Sequence, residues 1–426
     1  MTTTELPLRT WAGNLAYSAR RLLEPASLDE LRREVAASSR LRPLGTRHSF
    51  NAVADTTGDL ISVARLPRRV EIDREARTAT VSAGLRYGQI TPELDAAGLA
   101  LPNLGSLPHI SVAGACATGT HGSGDANQVL AASVAAVELV TAGGDVVRLG
   151  RGDEGFEGAV IALGRLGVVT ALTLDLVPAF EVHQEVHLGL PAPVVLDHLE
   201  DLLSAAHSVS LFTYWDEPWQ FHVLSKHRSA SGRGPGPARP ALAQELGARP
   251  APGQWHMVPG MPAENCTEQL GVPGPWHARL PHFKLEFTPS NGDELQSEYF
   301  VARSDARAAI TAVAKVRDVV APVLQVSEVR SIAADDMWLS GASGRETIGL
   351  HFTWVGDTVA ALPAVRAVEE ALAPFGARPH WGKVFTVPGA TVRGLYPRLQ
   401  DANALARAFD PDGVFRNGFV EEYLEG

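Results

Sequence analysis

Strand and helix signals follow one another irregularly through the first 178 residues of this chain. That irregularity disfavours a doubly wound parallel sheet, which needs a regular strand-helix repeat. Ser27 followed by Glu30 makes a capping box that starts a helix running to about Ala37. Strand signals appear at 60–63, 70–72 and 78–82, the last two joined by the polar turn Asp73-Arg74-Glu75-Ala76. A second helix is expected over 87–97. Ala142-Gly143-Gly144 then supplies hairpin chemistry between strands at 137–141 and 145–149, because glycine reaches positive φ cheaply. A long strand at 168–177 is ended by Pro178.

Beyond Pro178 the texture changes. Helical spacing at 192–205, 304–319 and 359–373 alternates with strand-like segments between 187 and 224 and at 283–287, 324–331 and 348–355. The Ser/Gly/Pro/Arg run at 229–240 reads as a surface loop. This is the pattern of helices packed on a mostly antiparallel sheet, and the absence of a repeat at roughly 20–50 residues removes solenoids and propellers. At about 150 residues per domain, 426 residues favour two or three domains.

Composition narrows the partners. With 45% hydrophobic and 20% charged residues the chain can bury large cores. Lys+Arg 37 against Asp+Glu 48 gives 37 − 48 = −11, with no basic block, which disfavours a phosphate-backbone partner. The longest apolar run, at 129–137, falls far short of the roughly 20 residues that cross a bilayer. The N-terminus has neither the basic nor the apolar region of a secretory signal. Cys116 and Cys266 alone make no disulfide scaffold, and a reducing cytoplasm fits.

The glycine-rich stretch from Gly114 to Gly124 places small and hydroxyl residues in one loop, which suits close approach of backbone N–H groups to a pyrophosphate. It is not a P-loop, which needs Lys where Thr120 stands, and the G-x-G-x-x-G order of a dinucleotide fold is missing. His48 sits in the tight loop Gly45-Thr46-Arg47-His48-Ser49, where an ordinary loop histidine is the bland alternative. In Leu350-His351-Phe352-Thr353-Trp354, strand alternation sets His351 and Thr353 on one face. Glu328 and Arg330 repeat that arrangement. A polar strand face is ordinarily just solvated, but four such groups converging on one surface would be unusual for solvation. Lys383 by itself is an ordinary surface lysine. His183 and His187 have ligand-like spacing but lie in an alternating, exposed-strand pattern, so no metal is expected; H-E-x-x-H and G-x-S-x-G are both absent.

Together these residues match something specific. Pro43 to Ser49, Ser106-Leu107-Pro108-His109 through Gly114 and on to Thr120-His121-Gly122, Glu328-x-Arg330, His380-Trp381-Gly382-Lys383, and Phe409-Asp410-Pro411 to Phe415-x-Asn417 resemble, in order, the alditol oxidases. These are flavoproteins of the vanillyl-alcohol oxidase type, beside the sugar-lactone oxidases, and the similarity extends over nearly the whole chain.

The resemblance implies an α+β fold: an FAD-binding domain over 1–178, a substrate or cap domain of antiparallel sheet plus helices over 179–385, and a return segment over 386–426. It implies FAD joined covalently from His48 to the flavin C8-methyl. Further cofactor contacts would come from Gly45, Thr46, Arg47, Ser49, Ser106, Ser111, Gly114, Thr118, Gly119, His121, Gly122, Val169 and Asn417. Ser106, Glu328, Arg330, His351, Thr353 and Lys383 would contact a polyol. Cys116 falls in the pyrophosphate stretch with no second-tether role. The partners implied are a small polyol and dioxygen, with no nucleic acid, no membrane, no metal and a monomeric chain.

Oxidising a primary alcohol removes a hydride from carbon and a proton from oxygen. Arg330 and Lys383 can supply positive charge to the developing alkoxide. Lys383 or His351 can take part in proton removal, Lys383 only if burial or Arg330 lowers its pKa. Glu328 reads as an acceptor for a neighbouring hydroxyl and an orienter of Arg330, and Gly105 leaves room for dioxygen. The expected product is an aldose, from xylitol or sorbitol, with hydrogen peroxide. The alternatives are a sugar-lactone (gulono- or galactono-lactone) oxidase or dehydrogenase of the same fold, a non-catalytic flavin carrier, and a nicotinamide enzyme, the last disfavoured by the missing glycine fingerprint.

Overall fold

The computed structural model describes residues 8–230, 241–286 and 294–426. Strands Arg21–Leu23, Leu41–Pro43 and Asp59–Ile61 form a small parallel sheet with Asp59–Ile61 in the middle. Helix Leu28–Ala36 connects the first two. The Ser27 hydroxyl accepts from the Glu30 N–H at 3.2 Å, and the Glu30 carboxylate accepts from the Ala26 N–H at 2.7 Å. The capping box therefore forms one residue before its usual backbone donor. Leu31 and Val35 of this helix are buried against Leu41, Ile61, Val140 and Phe415.

Five antiparallel strands make a second sheet in the order Val70–Asp73, Thr78–Ser82, Val168–Asp175, Val134–Val140, Val146–Gly150. The expected hairpin closes through Thr141 N–H to Asp145 O at 2.9 Å, with Gly144 at φ +82°. The C-terminal segment packs back here: Leu399, Ala402, Phe419 and Leu424 share one core with Leu139, Phe156 and Trp381. The buried Arg42 guanidinium donates to the carbonyls of Val53 and Leu163 at 2.6 Å and of Phe415 at 2.7 Å, tying three distant segments together.

The third sheet has nine strands. Its main path runs Arg249–Pro250, Phe180–Pro191, Gln220–Ala230, Ser208–Thr213, Leu324–Ile332, Thr347–Val355, Glu294–Ala302 and Arg378–Pro379, with Gly274–Pro275 beside Phe180–Pro191. Val329, Leu350, Phe352 and Trp354 face helices Ala306–Ala314 and Thr358–Leu372 and are fully buried there. Each such side chain contributes ~1.5–3 kcal/mol by leaving water. Their burial fixes which face is apolar, and the period of two then turns Glu328, Arg330, His351 and Thr353 to the other.

Several segments differ from the sequence expectation. Residues 112–117, expected as glycine-rich loop, begin as the short helix Val112–Ala117, since Val, Ala and Cys have no reason to avoid one. Residues 192–205 split into Ala192–Asp197 and Leu199–Ser204 because His198 leaves helical geometry at φ −119°, ψ 24°. Residues 304–319 break likewise at Val316, φ −108°, ψ 11°. The expected strand at 283–287 is not one: Phe283 makes a single bridge to Cys266, Leu285 and Glu286 turn, and Phe287 lies outside the described residues. The ladder at 168–177 stops at Asp175, and Val177–Pro178 pairs instead with Leu99–Ala100. Ser229 and Ala230 still belong to a strand, while 231–240 lie outside the described residues. The strand Glu294–Ala302 was not anticipated. Among the described residues no helix is long and apolar enough to cross a membrane, and both cysteines are free and buried.

Candidate active site

The polar face of the large sheet closes one end of a cavity of about 360 Å³. The other end runs between the two smaller sheets, past Gly45, Ser111 and Gly114. A Cβ added at Gly45 or Gly114 would meet the Ser111 hydroxyl at 2.8 and 2.7 Å, so these glycines keep the passage open by lacking a side chain. The loop carrying His48 is bound to the loop carrying Lys383: Phe50 N–H donates to Gly382 O at 2.7 Å, and Asn51 Nδ2 donates to Trp381 O at 2.9 Å and Lys383 O at 2.7 Å. Burial first, and then the neighbouring His109, push the His48 pKa down to about 4, leaving a neutral imidazole. Its Nδ1 is buried and, beyond the nearby Thr46 backbone, has no hydrogen-bond partner. Such an orphaned nitrogen fits a group that the cavity would hold.

Register places Glu298, His351 and Glu328 directly across from one another on three adjacent strands. Glu298 is the hub. Its Oε1 accepts from Arg330 Nη2 at 2.6 Å, its Oε2 accepts from Lys383 Nζ at 2.7 Å, and His121 Nε2 stands 3.2 Å from Oε1. Burial works against the Glu298 charge, but Lys383, His121 and Arg330 hold its carboxyl well below the usual range. Lys383 is pulled the other way: burial lowers its pKa, Glu298 restores part of it, and Arg330 lowers it again. Burial, then Lys383, push His351 down to about 4. Neutral His351 accepts from Lys383 Nζ on Nδ1 at 2.6 Å and donates from Nε2 to Thr353 Oγ1 at 3.0 Å. The Arg330 Nε–H is buried without a hydrogen bond, 3.5 Å from Glu328 Oε2.

Behind Glu328 lies a second relay. His282 Nε2 donates to Glu328 Oε1 at 3.0 Å, and the buried Lys226 ammonium reaches His282 Nδ1 at 3.1 Å and the Leu280 carbonyl. Burial, only partly offset by Glu328, brings Lys226 down to about 7. Burial and then Lys226 bring His282 to about 4, so its Nε2–H is fixed toward the carboxylate. Burial opposes the Glu328 charge, but Arg330 and then His282 keep it ionised far below the usual range.

The structure brings Ser106, Glu328, Arg330, His351, Thr353 and Lys383 to the cavity, and with them Thr46, Arg47, His48, Ser49, Thr118, His121 and Val169. Gly119, Gly122 and Asn417 do not line it. Asn417 is consumed structurally: Nδ2 donates to the carbonyls of Ala52, Val53 and Asp55, and Oδ1 caps Val420 N–H at 2.9 Å. Gly122 packs on the Leu104 carbonyl, which a Cβ would meet at 2.5 Å, and Gly119 takes φ +70° just after the short helix. Gly105 is buried without lining the cavity, and a Cβ there would meet Thr120, His121 and Ile110 at ordinary contact distances. Cys116 is buried under Tyr87, whose hydroxyl is 3.7 Å from Sγ. Sequence reasoning missed Glu298, His282 and Lys226. Only Glu298 had a signal, the alternation of Gln296 and Glu298 with Leu295, Ser297 and Tyr299. Among the described residues no cluster of three or more His, Cys, Asp or Glu is placed to hold a metal ion.

Comparison with known proteins shows what the chain is similar to. An FAD binding domain family matches residues 19–150, and a D-arabinono-1,4-lactone oxidase family matches 293–423. The chain is 53% identical to an alditol oxidase from a Streptomyces species over 98% of both chains. It is 30% identical to an L-gulono-1,4-lactone dehydrogenase from Mycobacterium tuberculosis over 97% of this chain and 98% of that one. Among solved structures, cholesterol oxidase from B. sterolicum superposes with a TM-score of 0.74 at 13% identity, covering 98% of this chain and 96% of that one. A chitooligosaccharide oxidase does so with 0.76 at 12%, covering 97% and 96%. At such identities the structural likeness speaks for the fold.

Proposed function

This chain belongs to the alditol oxidase family of FAD-binding flavoproteins, and on that footing we propose that it oxidises the terminal primary hydroxyl of an alditol such as xylitol or sorbitol. The product is an aldose. Bound FAD supplies a hydride acceptor that dioxygen reoxidises to give hydrogen peroxide. The observation that carries the reading is the Glu298–His351–Glu328 row, with Arg330 and Lys383 attached, closing a cavity that also holds an unpartnered His48 nitrogen.

In this reading the FAD-binding part spans 1–178, the substrate part 179–385 and the return segment 386–426. The division is supported by the sheets, since the nine-stranded one draws its strands from Phe180–Pro191 through Arg378–Pro379. His48 carries the covalent link to the flavin C8-methyl, and the Gly45–Ser49 loop, Ser111, Gly114 and Thr118 hold the rest of the cofactor. Two free, buried cysteines support a reducing cytoplasm.

Arg330, with Nε–H unpaired and its charge fixed by Glu298, is suited to an oxygen that becomes alkoxide-like as hydride leaves. The Lys383–His351 pair takes the hydroxyl proton: burial and Arg330 lower the Lys383 pKa from its usual value, and His351 Nδ1 accepts from Nζ. Glu328, ionised and held by the His282 N–H, accepts from a neighbouring substrate hydroxyl. Thr353 and Ser106 face further hydroxyls. A site of this kind rejects analogues that leave its buried polar groups unpaired.

Anaerobic mixing with xylitol should bleach the flavin, and admitting air should restore it with one peroxide per aldose. The same groups suit a hydroxylated lactone ring, and residues 293–423 match a lactone oxidase family, but the stronger likeness is to the alditol oxidase. Turnover of gulono-lactone faster than xylitol would reverse that order.

A further inference from the structure

Residues 8–17 fold back on themselves through an Arg9–Ala16 antiparallel bridge and lie across the outside of the His48 loop. Several contacts fasten them to it. Trp11 N–H donates to Arg47 O at 2.8 Å, Asn14 Nδ2 donates to Phe50 O at 2.8 Å, and the Trp11 indole stacks on the His48 imidazole with centroids 5.2 Å apart and planes 20° from parallel. Arg47 adopts φ +65°, a left-handed conformation that a side chain resists, and its carbonyl is the group that Trp11 caps. The turn that aims His48 into the cavity is therefore a conformation held from outside the loop. The stacked indole is the described contact that lies against the plane of the imidazole, with the Thr46 backbone nearby.

We propose that Trp11 is a positioning residue for flavin attachment: through the Arg47 carbonyl and the stacked ring it holds the His48 imidazole in the plane from which it bonds to the flavin. This rests on the reading that His48 carries the flavin. The step joins an imidazole nitrogen to the C8-methyl carbon. One methyl hydrogen and the imidazole N–H hydrogen leave as protons, and two electrons remain on the flavin, which dioxygen then removes as in turnover, forming hydrogen peroxide. Such a bond depends steeply on the approach of the two atoms, and a misplacement of about 1 Å can cost 100-fold in rate.

The test uses the full chain produced under riboflavin starvation, mixed with FAD in air and quenched in acid at intervals. The readout is the share of bound flavin that stays in the acid pellet, with total bound flavin measured separately. Trp11→Ala and Trp11→Leu are expected to bind FAD yet acquire the acid-stable form at least ~10-fold more slowly, while Trp11→Phe, which keeps a stacking ring, stays within about threefold of the parent. If Trp11→Ala does not fold, Trp11→Leu, which retains apolar bulk without the stack, decides. Attachment at the parental rate in the leucine variant overturns the inference, as does a loss of acid-stable flavin that merely follows a loss of total flavin. If the parent chain binds FAD and never makes it acid-stable, the His48 reading fails first and Trp11 falls with it.

Discussion

Glu298 and Lys383 meet at 2.7 Å between Oε2 and Nζ, on segments 85 residues apart, with side chains only 1% and 13% exposed. The carboxylate raises the lysine pKa, against burial and Arg330, which lower it. Glu298→Gln removes that support, so the Lys383 pKa falls further. If neutral Lys383 takes the substrate proton, the rate of flavin reduction rises with pH through this pKa, and the variant's rise should move to lower pH by about one unit or more. The plateau should drop roughly 10- to 100-fold because Arg330 loses its partner as well. Anaerobic stopped-flow reduction against pH reads both. A rise that stays in place removes Lys383 from the proton step.

Arg330→Ala should lower kcat/KM at least roughly 100-fold, since the developing charge loses a fixed donor. Thr353→Ala should mainly raise KM, because its hydroxyl already accepts from His351 Nε2 and faces a remote part of the substrate. Both variants are to be checked for flavin content and Tm, since Arg330→Ala removes one of the buried partners of Glu298 and leaves Lys383 and His121. Equal kcat/KM for xylitol and a short diol would reduce the polar strand face to a wet surface.

Mass spectrometry of the peptide holding His48 should show added FAD, and His48→Ala should release all its flavin into the acid supernatant. The untethered flavin is also expected to have a lower reduction potential, measurable by equilibration with a reference dye. Finding the parental peptide unmodified in yellow, active protein would exclude the link.

Lys226 makes a prediction about stability. An exposed lysine titrates near 10.4, whereas burial brings this one to about 7. Between those values the folded chain binds fewer protons than the unfolded chain, so stability rises with pH from about 7 to about 10; below about 7 the penalty is fully present. Lys226→Met should therefore raise Tm more at pH 6 than at pH 10, and thermal scans at the two pH values check it. The variant should also raise KM for the polyol, because His282 loses the donor that fixes its N–H toward Glu328.

Local chemistry left clear marks in the sequence. The capping box at Ser27 and Glu30, the glycine hairpin at 142–144 and the paired strand faces of Glu328 with Arg330 and His351 with Thr353 are all set by neighbours within a few residues. The backbone's own periods decide them. The split helices and the lost strand at Phe283 show where that reasoning stops, since a single residue leaving helical geometry ends a helix whose spacing still looks continuous.

The sequence by itself determined which side chains share a face, because alternation along a strand is intrinsic to the extended backbone. Only the tertiary structure decided that Glu298, His351 and Glu328 stand in one row, that Lys226 reaches Glu328 through His282, and that Trp11 lies on His48. Those pairings join residues from 23 to 56 positions apart. The register of the Glu298, His351 and Glu328 row is set by burying Val329, Leu350, Phe352 and Trp354 beneath two helices, and a slip of one residue would turn those three polar groups into the core.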